Sequence, residues 1–178
     1  DLERLEWYIE GACARVPLLG TAGITRVVNG PIPYAPDGLP LIGPMPGVRN
    51  AFEACVFTFG IVQAGGAGRL LAEMIVEGET ESDSWAVDPR RFTDHVDQAY
   101  TTAKAIETYS HEYAMHFPQI QWPAGRKVKL SPLYDRLAAA GAEFGSYGGW
   151  ERADWFPKNG ADRHPANSYD RQHWFDTV

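Results

Sequence analysis

Apolar residues recur at three- and four-residue steps in several segments of this chain, which is the spacing of an amphipathic helix. This pattern predicts helices over residues 2–14, 64–76, 94–116 and 132–141. In the second helix, the face that we expect to point inward carries Leu70, Leu71, Met74 and Ile75.

Short apolar runs bounded by Gly, Pro and Asn predict strands between these helices. They cover residues 24–28, 39–42, 51–57 and 142–147. The acidic stretch 77–84 is typical of a surface loop and is the first candidate domain boundary. After Trp150 the aromatic, Gly, Pro and charged residues show no clear period, so we predict an irregular segment there. Short strands mixed with helices predict the α+β class.

A glycine-rich turn joins the strand 51–57 to the helix 64–76, with the sequence FGIVQAGGAG from Phe59 to Gly68. The first N–H groups of a helix have no partner within it, and the helix dipole adds positive charge there. Such a turn suits a phosphate, a carboxylate or a ring that becomes negative on reduction. The spacing is neither G-x-G-x-x-G nor a P-loop. Close helix packing explains the small residues equally well, so the residues alone leave both interpretations open.

Composition and charge narrow the function classes. The 178 residues are 44% hydrophobic and 22% charged, which is typical of a globular protein. A formal charge of −7 counts against a nucleic-acid partner, and no apolar run is long enough for membrane insertion. The basic pairs Arg90-Arg91 and Arg126-Lys127 are interpreted as solvated ends of helices and turns. Cys13 and Cys55 lack metal-ligand spacing and are expected to be buried free thiols, as in a reducing compartment.

No catalytic or metal-ligating residue is predicted. His111 and His116 are five residues apart, so on a helix they diverge by about 140° and do not share the face that zinc requires. Asp37 lies in a Pro-Asp-Gly sequence, where aspartate usually bonds to the backbone of its own turn. We therefore expect capping or solvated histidines and a structural Asp37.

Two sets of motifs resemble known flavoproteins. P-D-G-x-P-x-x-G-P at residues 36–44, followed by F-G-x-x-x-A-G-G-x-G at 59–68, resembles the closing part of the flavin domain in the D-amino-acid-oxidase superfamily. FPQIQWPAGR at 117–126, SPLY at 131–134 and GWERADWF at 149–156 resemble the dimethylglycine/sarcosine dehydrogenase family. In that family a flavin domain is joined, through a small central domain, to a folate-binding domain like the glycine-cleavage T protein.

The resemblance implies an internal fragment of a longer chain. Residues 1–92 would end the FAD-binding domain with short strands and a flavin-facing helix. Residues 93–150 would form a helix-rich central domain, and residues 151–178 would begin the folate domain. Such a piece is expected to be inactive alone, to bind FAD weakly, and to have the rest of its parent chain as its partner.

The activity implied by the resemblance is that of an FAD-dependent amine dehydrogenase or oxidase. Its substrate would be an N-methyl amino acid of the dimethylglycine or sarcosine type. The one-carbon unit would pass to tetrahydrofolate or leave as formaldehyde, so the implied cofactors are FAD and tetrahydrofolate. The implied location is the cytoplasm, or the mitochondrial matrix in a eukaryote.

The same resemblance implies the residues that line the flavin: Thr58, Phe59, Gly60, Ile61, Val62 and Gln63. Reduced flavin is negative near N1 and its C2 carbonyl, where backbone N–H groups would stabilise the charge. A side chain at Gly60 would collide with the ring. The glycines expected to serve packing are Gly65, Gly66 and Gly68.

Two other functions stay open: a non-catalytic packing or interaction module, and a simple FAD amine oxidase without folate chemistry. An open turn at residues 60–63 would favour flavin, whereas a turn covered by the chain's own side chains would favour packing. The aromatic residues near the end of the chain suit either a domain interface or a pterin pocket: Trp150, Trp155, Phe156, Trp174 and Phe175.

Overall fold

The structure, a computed structural model, describes residues 2–158 and 166–175. The chain divides into two compact units, Asp1–Ile32 and Pro33–Val178. Among the described residues, helices occur together with two-stranded antiparallel sheets, which confirms the mixed helix-and-strand class. No helix in this part of the chain is long and apolar enough to cross a membrane.

The first unit is built around one helix. A 3-10 turn at Leu2–Leu5 leads into α1, Glu6–Arg15, and a second 3-10 turn covers Pro17–Thr21. The α1 helix ends where Val16 donates its N–H to the carbonyl of Ala12 and Pro17 follows. The strand predicted at residues 24–28 is wrong, because no described strand pairs with this segment and its residues stay exposed.

Two short strands begin the second unit. β1, Leu41–Pro44, pairs antiparallel with β2, Phe52–Cys55. Both strands are predicted, with bounds shifted by a few residues. Ile42 in β1 is among the most buried residues, so the sheet turns one face toward the core. Cys13 and Cys55 are free but only half-buried, which corrects the expectation of buried thiols.

The α2 helix spans Ala64–Val76, the bounds predicted from the sequence. Its buried residues are Ala67 and Met74, and Met74 Sδ lies 3.4 Å from the place that a Cβ would take on Gly43 of β1. Ile75 is 54% exposed, so its assignment to the inner face is wrong. The buried face of α2 therefore runs through Ala67 and Met74, because the helix packs on β1 at Gly43.

The α3 helix, Gln98–Ser110, is shorter than the predicted 94–116. It begins after Asp97, whose carboxylate accepts the N–H of Tyr100 at 2.7 Å and so caps the helix. Before it, a 3-10 turn at Pro89–Arg91 has Asp88 as its cap. The apolar period continues beyond Ser110, but the helix does not.

A hairpin follows the short α4 helix, Tyr134–Ala139. β3, Glu143–Tyr147, pairs antiparallel with β4, Trp150–Trp155, across the turn at Gly148 and Gly149. The β4 strand corrects the prediction of an irregular segment after Trp150. Its apolar alternation is hidden in the sequence because the charged Glu151 is one of its buried residues. The rest of that predicted segment lies partly outside the described residues.

Candidate flavin-facing site

The Gly60 turn, residues 58–63, is formed where β2 has ended and α2 has not begun. Gly60 has φ +60°, a conformation that glycine adopts without strain, and donates its N–H to the Phe57 carbonyl at 3.3 Å. Residues Gly60–Gln63 then make one 3-10 turn that leads directly into α2. The strand–turn–helix order predicted from the sequence is therefore present.

This turn is not covered by described side chains of the chain itself. Ile61 is 92% exposed and Val62 is 83% exposed, and a Cβ built on Gly60 would meet no atom within 4 Å. Two large apolar side chains that face outward need a partner to remove them from water. The open turn is the arrangement that favours the flavin interpretation over packing by the chain's own side chains.

The polar groups of the Gly60 turn suit a ligand with both acceptors and a donor. No side chain caps the 3-10 turn at Phe59 or α2 at Gln63, so side chains leave the first N–H groups unoccupied. The Oε1 atom of Gln63 is buried and has no hydrogen-bond donor among the described residues. The pyrimidine edge of an isoalloxazine carries carbonyl acceptors beside an N–H donor, so the residues present fit this group.

The small residues of α2 have different positions. Ala67 is buried, but a Cβ on Gly65, Gly66 or Gly68 would meet no neighbour within 4 Å. Among the described residues nothing packs against these glycines, so the packing role expected for them is wrong. They leave the first turns of α2 open on the outward side.

A second turn supports the first. In the Asp37 turn, residues 36–39, the carboxylate of Asp37 accepts the N–H of Leu39 at 3.1 Å, so Asp37 is structural as predicted. Gly38 accepts a hydrogen bond from Thr58 Oγ1 at 3.4 Å. The Arg91 guanidinium binds the other side of Asp37, with Nε 2.7 Å from Oδ2. Arg91 is buried rather than solvated, which corrects its interpretation from the sequence.

A cavity of about 500 Å³ lies between the Asp37 turn, α3 and the β3–β4 hairpin. Its walls include the aromatic rings of Trp85, Trp122 and Tyr147. Its cations are paired, Arg91 with Asp37 and Lys104 with Glu107. Burial lowers the pKa of His95 in the same wall, and nearby Lys129 acts in the same direction. No local pattern in the sequence indicates this cavity, because its wall residues come from distant segments.

Comparison with known proteins shows the family of the chain. The family model described as FAD dependent oxidoreductase matches residues 1–74, and that described as FAD dependent oxidoreductase central domain matches residues 77–131. Dimethylglycine dehydrogenase, mitochondrial, of Homo sapiens is 41% identical over 100% of this chain and 21% of its own length. This chain belongs to the dimethylglycine/sarcosine dehydrogenase family.

Other members of the family are similar to the chain to nearly the same degree. The 4-methylaminobutanoate oxidase (formaldehyde-forming) of Paenarthrobacter nicotinovorans is 40% identical over 92% of this chain and 20% of its own length. Sarcosine dehydrogenase, mitochondrial, of Mus musculus is 38% identical over 85% of this chain and 17% of its own length. The chain spans about a fifth of the length of these curated relatives.

The two turns lie in the region of one family model, and the residues that hold the Asp37 turn lie in the region of the other. The Gly60 and Asp37 turns both lie in the region similar to the FAD dependent oxidoreductase model. Arg91 and α3 lie in the region similar to the central-domain model. The contact between Arg91 and Asp37 thus joins two parts that the family models treat separately.

The two histidines of the 111–116 segment contact one indole in this family member. The rings of His111 and His116 lie 4.3 and 5.4 Å from the Trp122 ring, and His111 Nδ1 is 2.8 Å from the Glu107 carbonyl. Within residues 2–158 and 166–175, no group of three or more His, Cys, Asp or Glu side chains is placed to hold a metal ion.

The aromatic residues near the end of the chain do not share one environment. Trp155 is buried and its ring lies 5.2 Å from that of His173. Trp150 is half exposed at the hairpin turn, where Lys129 Nζ lies 5.9 Å from its ring. Arg171 lies over the ring of Phe175. Trp155 therefore belongs to the core of the second unit, whereas Trp150 faces outward.

Proposed function

We propose that this chain is the flavin-facing and central part of an FAD-dependent amine oxidoreductase. The full-length protein would oxidatively demethylate an N-methyl amino acid of the dimethylglycine or sarcosine type. The observation that carries this proposal is identity of about 40% to enzymes named for such substrates, across 85–100% of the chain. The open Gly60 turn supports it, because it supplies a surface that only an external group can cover.

Bound FAD supplies the hydride acceptor in this chemistry. The backbone N–H groups of Ile61 and Val62, which follow Gly60, would lie against the pyrimidine edge of the flavin, and Gln63 Oε1 would accept a donor there. Groups already in place lose little free energy to reorganisation when negative charge develops. Ile61 and Val62 would exclude water from that edge, while Thr58 and Phe59 would complete the lining.

The fate of the one-carbon unit is part of the proposal. Tetrahydrofolate would accept it in a folate domain that begins near residue 151, or it would leave as formaldehyde.

Residues 1–92 would end the flavin domain and residues 93–150 would form the central domain. The partner would be the rest of the parent chain, located in the mitochondrial matrix if the source is a eukaryote.

Anaerobic reduction of the full-length protein tests this function. Dimethylglycine, sarcosine and 4-methylaminobutanoate are mixed with FAD-loaded protein, with glycine as the unmethylated control. We expect bleaching of the oxidised flavin band with at least one N-methyl compound and none with glycine. Added tetrahydrofolate should then lower the yield of free formaldehyde.

The alternatives give different results in the same experiment. Bleaching with no effect of tetrahydrofolate on formaldehyde would favour a simple amine oxidase. Loaded flavin that no N-methyl amino acid bleaches would contradict the proposed activity and favour the non-catalytic module.

A further inference from the structure

Arg91 lies outside the Gly60 turn, but its guanidinium binds the neighbouring Asp37 turn. The side chain is only 5% exposed. Its Nε lies 2.7 Å from Asp37 Oδ2, and its Nη2 lies 3.1 Å from Asp37 Oδ1 and 3.0 Å from the Leu39 carbonyl. One guanidinium therefore holds both the carboxylate and the end of the Asp37 turn.

The orientation of this guanidinium is fixed from its other side. Its Nη1 donates to the carbonyl of Asp88 at 3.1 Å, the cap of the 3-10 turn Pro89–Arg91. These four contacts use three nitrogens of the guanidinium fork, and a lysine ammonium cannot reproduce them. Arg91 thus transmits the position of the 3-10 turn to the Asp37 turn.

The α3 helix supports the Asp37 turn at a second point. Thr108 Oγ1 donates to the Pro36 carbonyl at 2.8 Å. Gly38 has φ +75°, and a Cβ there would lie 3.2 Å from both Thr108 Cγ2 and Tyr34 Oη. Held by Arg91 and by Thr108, the carbonyl of Gly38 has a defined direction.

That carbonyl accepts from Thr58, the first residue of the Gly60 turn, at 3.4 Å. Among the described residues, this is the only side-chain hydrogen bond made by residues 58–63. Ile61 and Val62 are almost fully exposed, so they add no packing that would hold the turn. Apart from its ends at β2 and α2, the turn is positioned through Thr58.

We infer that Arg91 is a positioning residue for the flavin-facing turn, acting through Asp37, Gly38 and Thr58. This inference rests on the proposed function. Loss of the Arg91 fork lets the Asp37 turn move, and Thr58 moves with it. The N–H groups that follow Thr58 then stabilise the charge on reduced flavin less well, so the reduction potential falls.

The test measures the midpoint potential and the FAD dissociation constant of the full-length protein. Arg91→Lys keeps the charge and removes the fork, whereas Thr58→Val keeps the shape and removes the donor. Arg90→Lys is the matched control, because Arg90 is the adjacent, mainly exposed arginine and bonds Asp88 rather than Asp37. We expect both test variants to lower the potential and to raise the FAD Kd about 5- to 10-fold, with Arg90→Lys unchanged.

The double variant Arg91→Lys/Thr58→Val tests whether Arg91 acts on the Gly60 turn through Thr58. If both residues act through Gly38, its shift in potential is smaller than the sum of the single shifts. Additive shifts, or a potential unchanged in Arg91→Lys, would overturn the inference. So would an equal shift in Arg90→Lys.

Thr108→Val keeps the test decisive if Arg91→Lys does not fold. It removes the bond to the Pro36 carbonyl, so it should shift the potential in the same direction as Thr58→Val. An unchanged potential in Thr108→Val and Thr58→Val would reject the route. A different result would contradict the proposed function itself: wild-type protein that binds no FAD at the Gly60 turn.

Discussion

Glu151 receives two hydrogen bonds from the guanidinium of Arg126, with Nε 2.8 Å from Oε1 and Nη2 2.6 Å from Oε2. The Glu151 side chain is 1% exposed. The N–H of Lys127 donates to the same carboxylate at 2.7 Å, and Arg126 Nη2 also donates to the Phe144 carbonyl. The pair therefore ties the 126–127 segment to both β3 and β4, and Arg126 is not the solvated turn end expected from the sequence.

Removing the cation should destabilise the second unit strongly. Arg126→Met leaves a buried carboxylate without its counter-ion, which costs about 3 kcal/mol or more. The measurement is urea unfolding of the 178-residue chain. The control is Arg69→Met, which breaks an exposed pair with Glu73 and should cost much less. Similar losses in both variants would contradict a structural role for the buried pair.

The pH dependence of stability should follow from two carboxylates with opposite shifts. The hydrogen bond from Arg126 holds the pKa of Glu151 below its usual value, against the effect of burial. Its stabilisation is complete above the ordinary pKa of 4.5 and is lost as pH falls through the lowered value. Burial raises the pKa of Asp154, so protonation of Asp154 stabilises the fold as the pH falls.

Stability measured between neutral and acidic pH checks these signs. Arg126→Met should flatten the loss of stability on acidification, while Asp154→Asn should make that loss steeper. Some acid sensitivity should remain in Arg126→Met, because the hydrogen bonds from Arg90 also lower the pKa of Asp88. A change of the same sign in both variants would show that the assignments are wrong.

The inner face of α2 can be tested at two adjacent residues. Met74 is buried against β1, so Met74→Ala should lower the free energy of unfolding by about 2–3 kcal/mol. Ile75 is exposed, so Ile75→Ala should cost less than about 1 kcal/mol in this chain. Urea unfolding of the two variants decides between this face and the one predicted from the sequence. A larger loss for Ile75→Ala would contradict the packing described.

Local signals in the sequence were sufficient for some elements. The bounds of α2 follow from the glycine-rich turn that leads into it and the apolar period within it. The Asp97 cap is a local feature that the longer apolar period obscured. The family and the strand–turn–helix order around Gly60 also follow from contiguous motifs. These features depend on residues near one another in the chain, which is why they are predictable.

Features that depend on distant residues were missed. β4 pairs with β3, and its buried Glu151 is paired with Arg126, a partner that no pattern within residues 150–155 reveals. The segment 24–28 has strand composition but no partner strand among the described residues. Arg91 is buried only because Asp37 lies opposite it in the fold. Burial of charge, unlike periodicity, is set by tertiary contacts.

The most direct test of the central claim compares two glycines in full-length protein. Gly60 and Gly78 both have positive φ, and a Cβ on either would meet no described atom within 4 Å. Alanine at either position should cost about 1–2 kcal/mol of backbone strain. Only Gly60→Ala should also weaken FAD binding in titrations followed by flavin fluorescence, because its methyl group would meet the ring. Equal FAD affinity in Gly60→Ala, Gly78→Ala and the wild type would contradict a flavin at this turn.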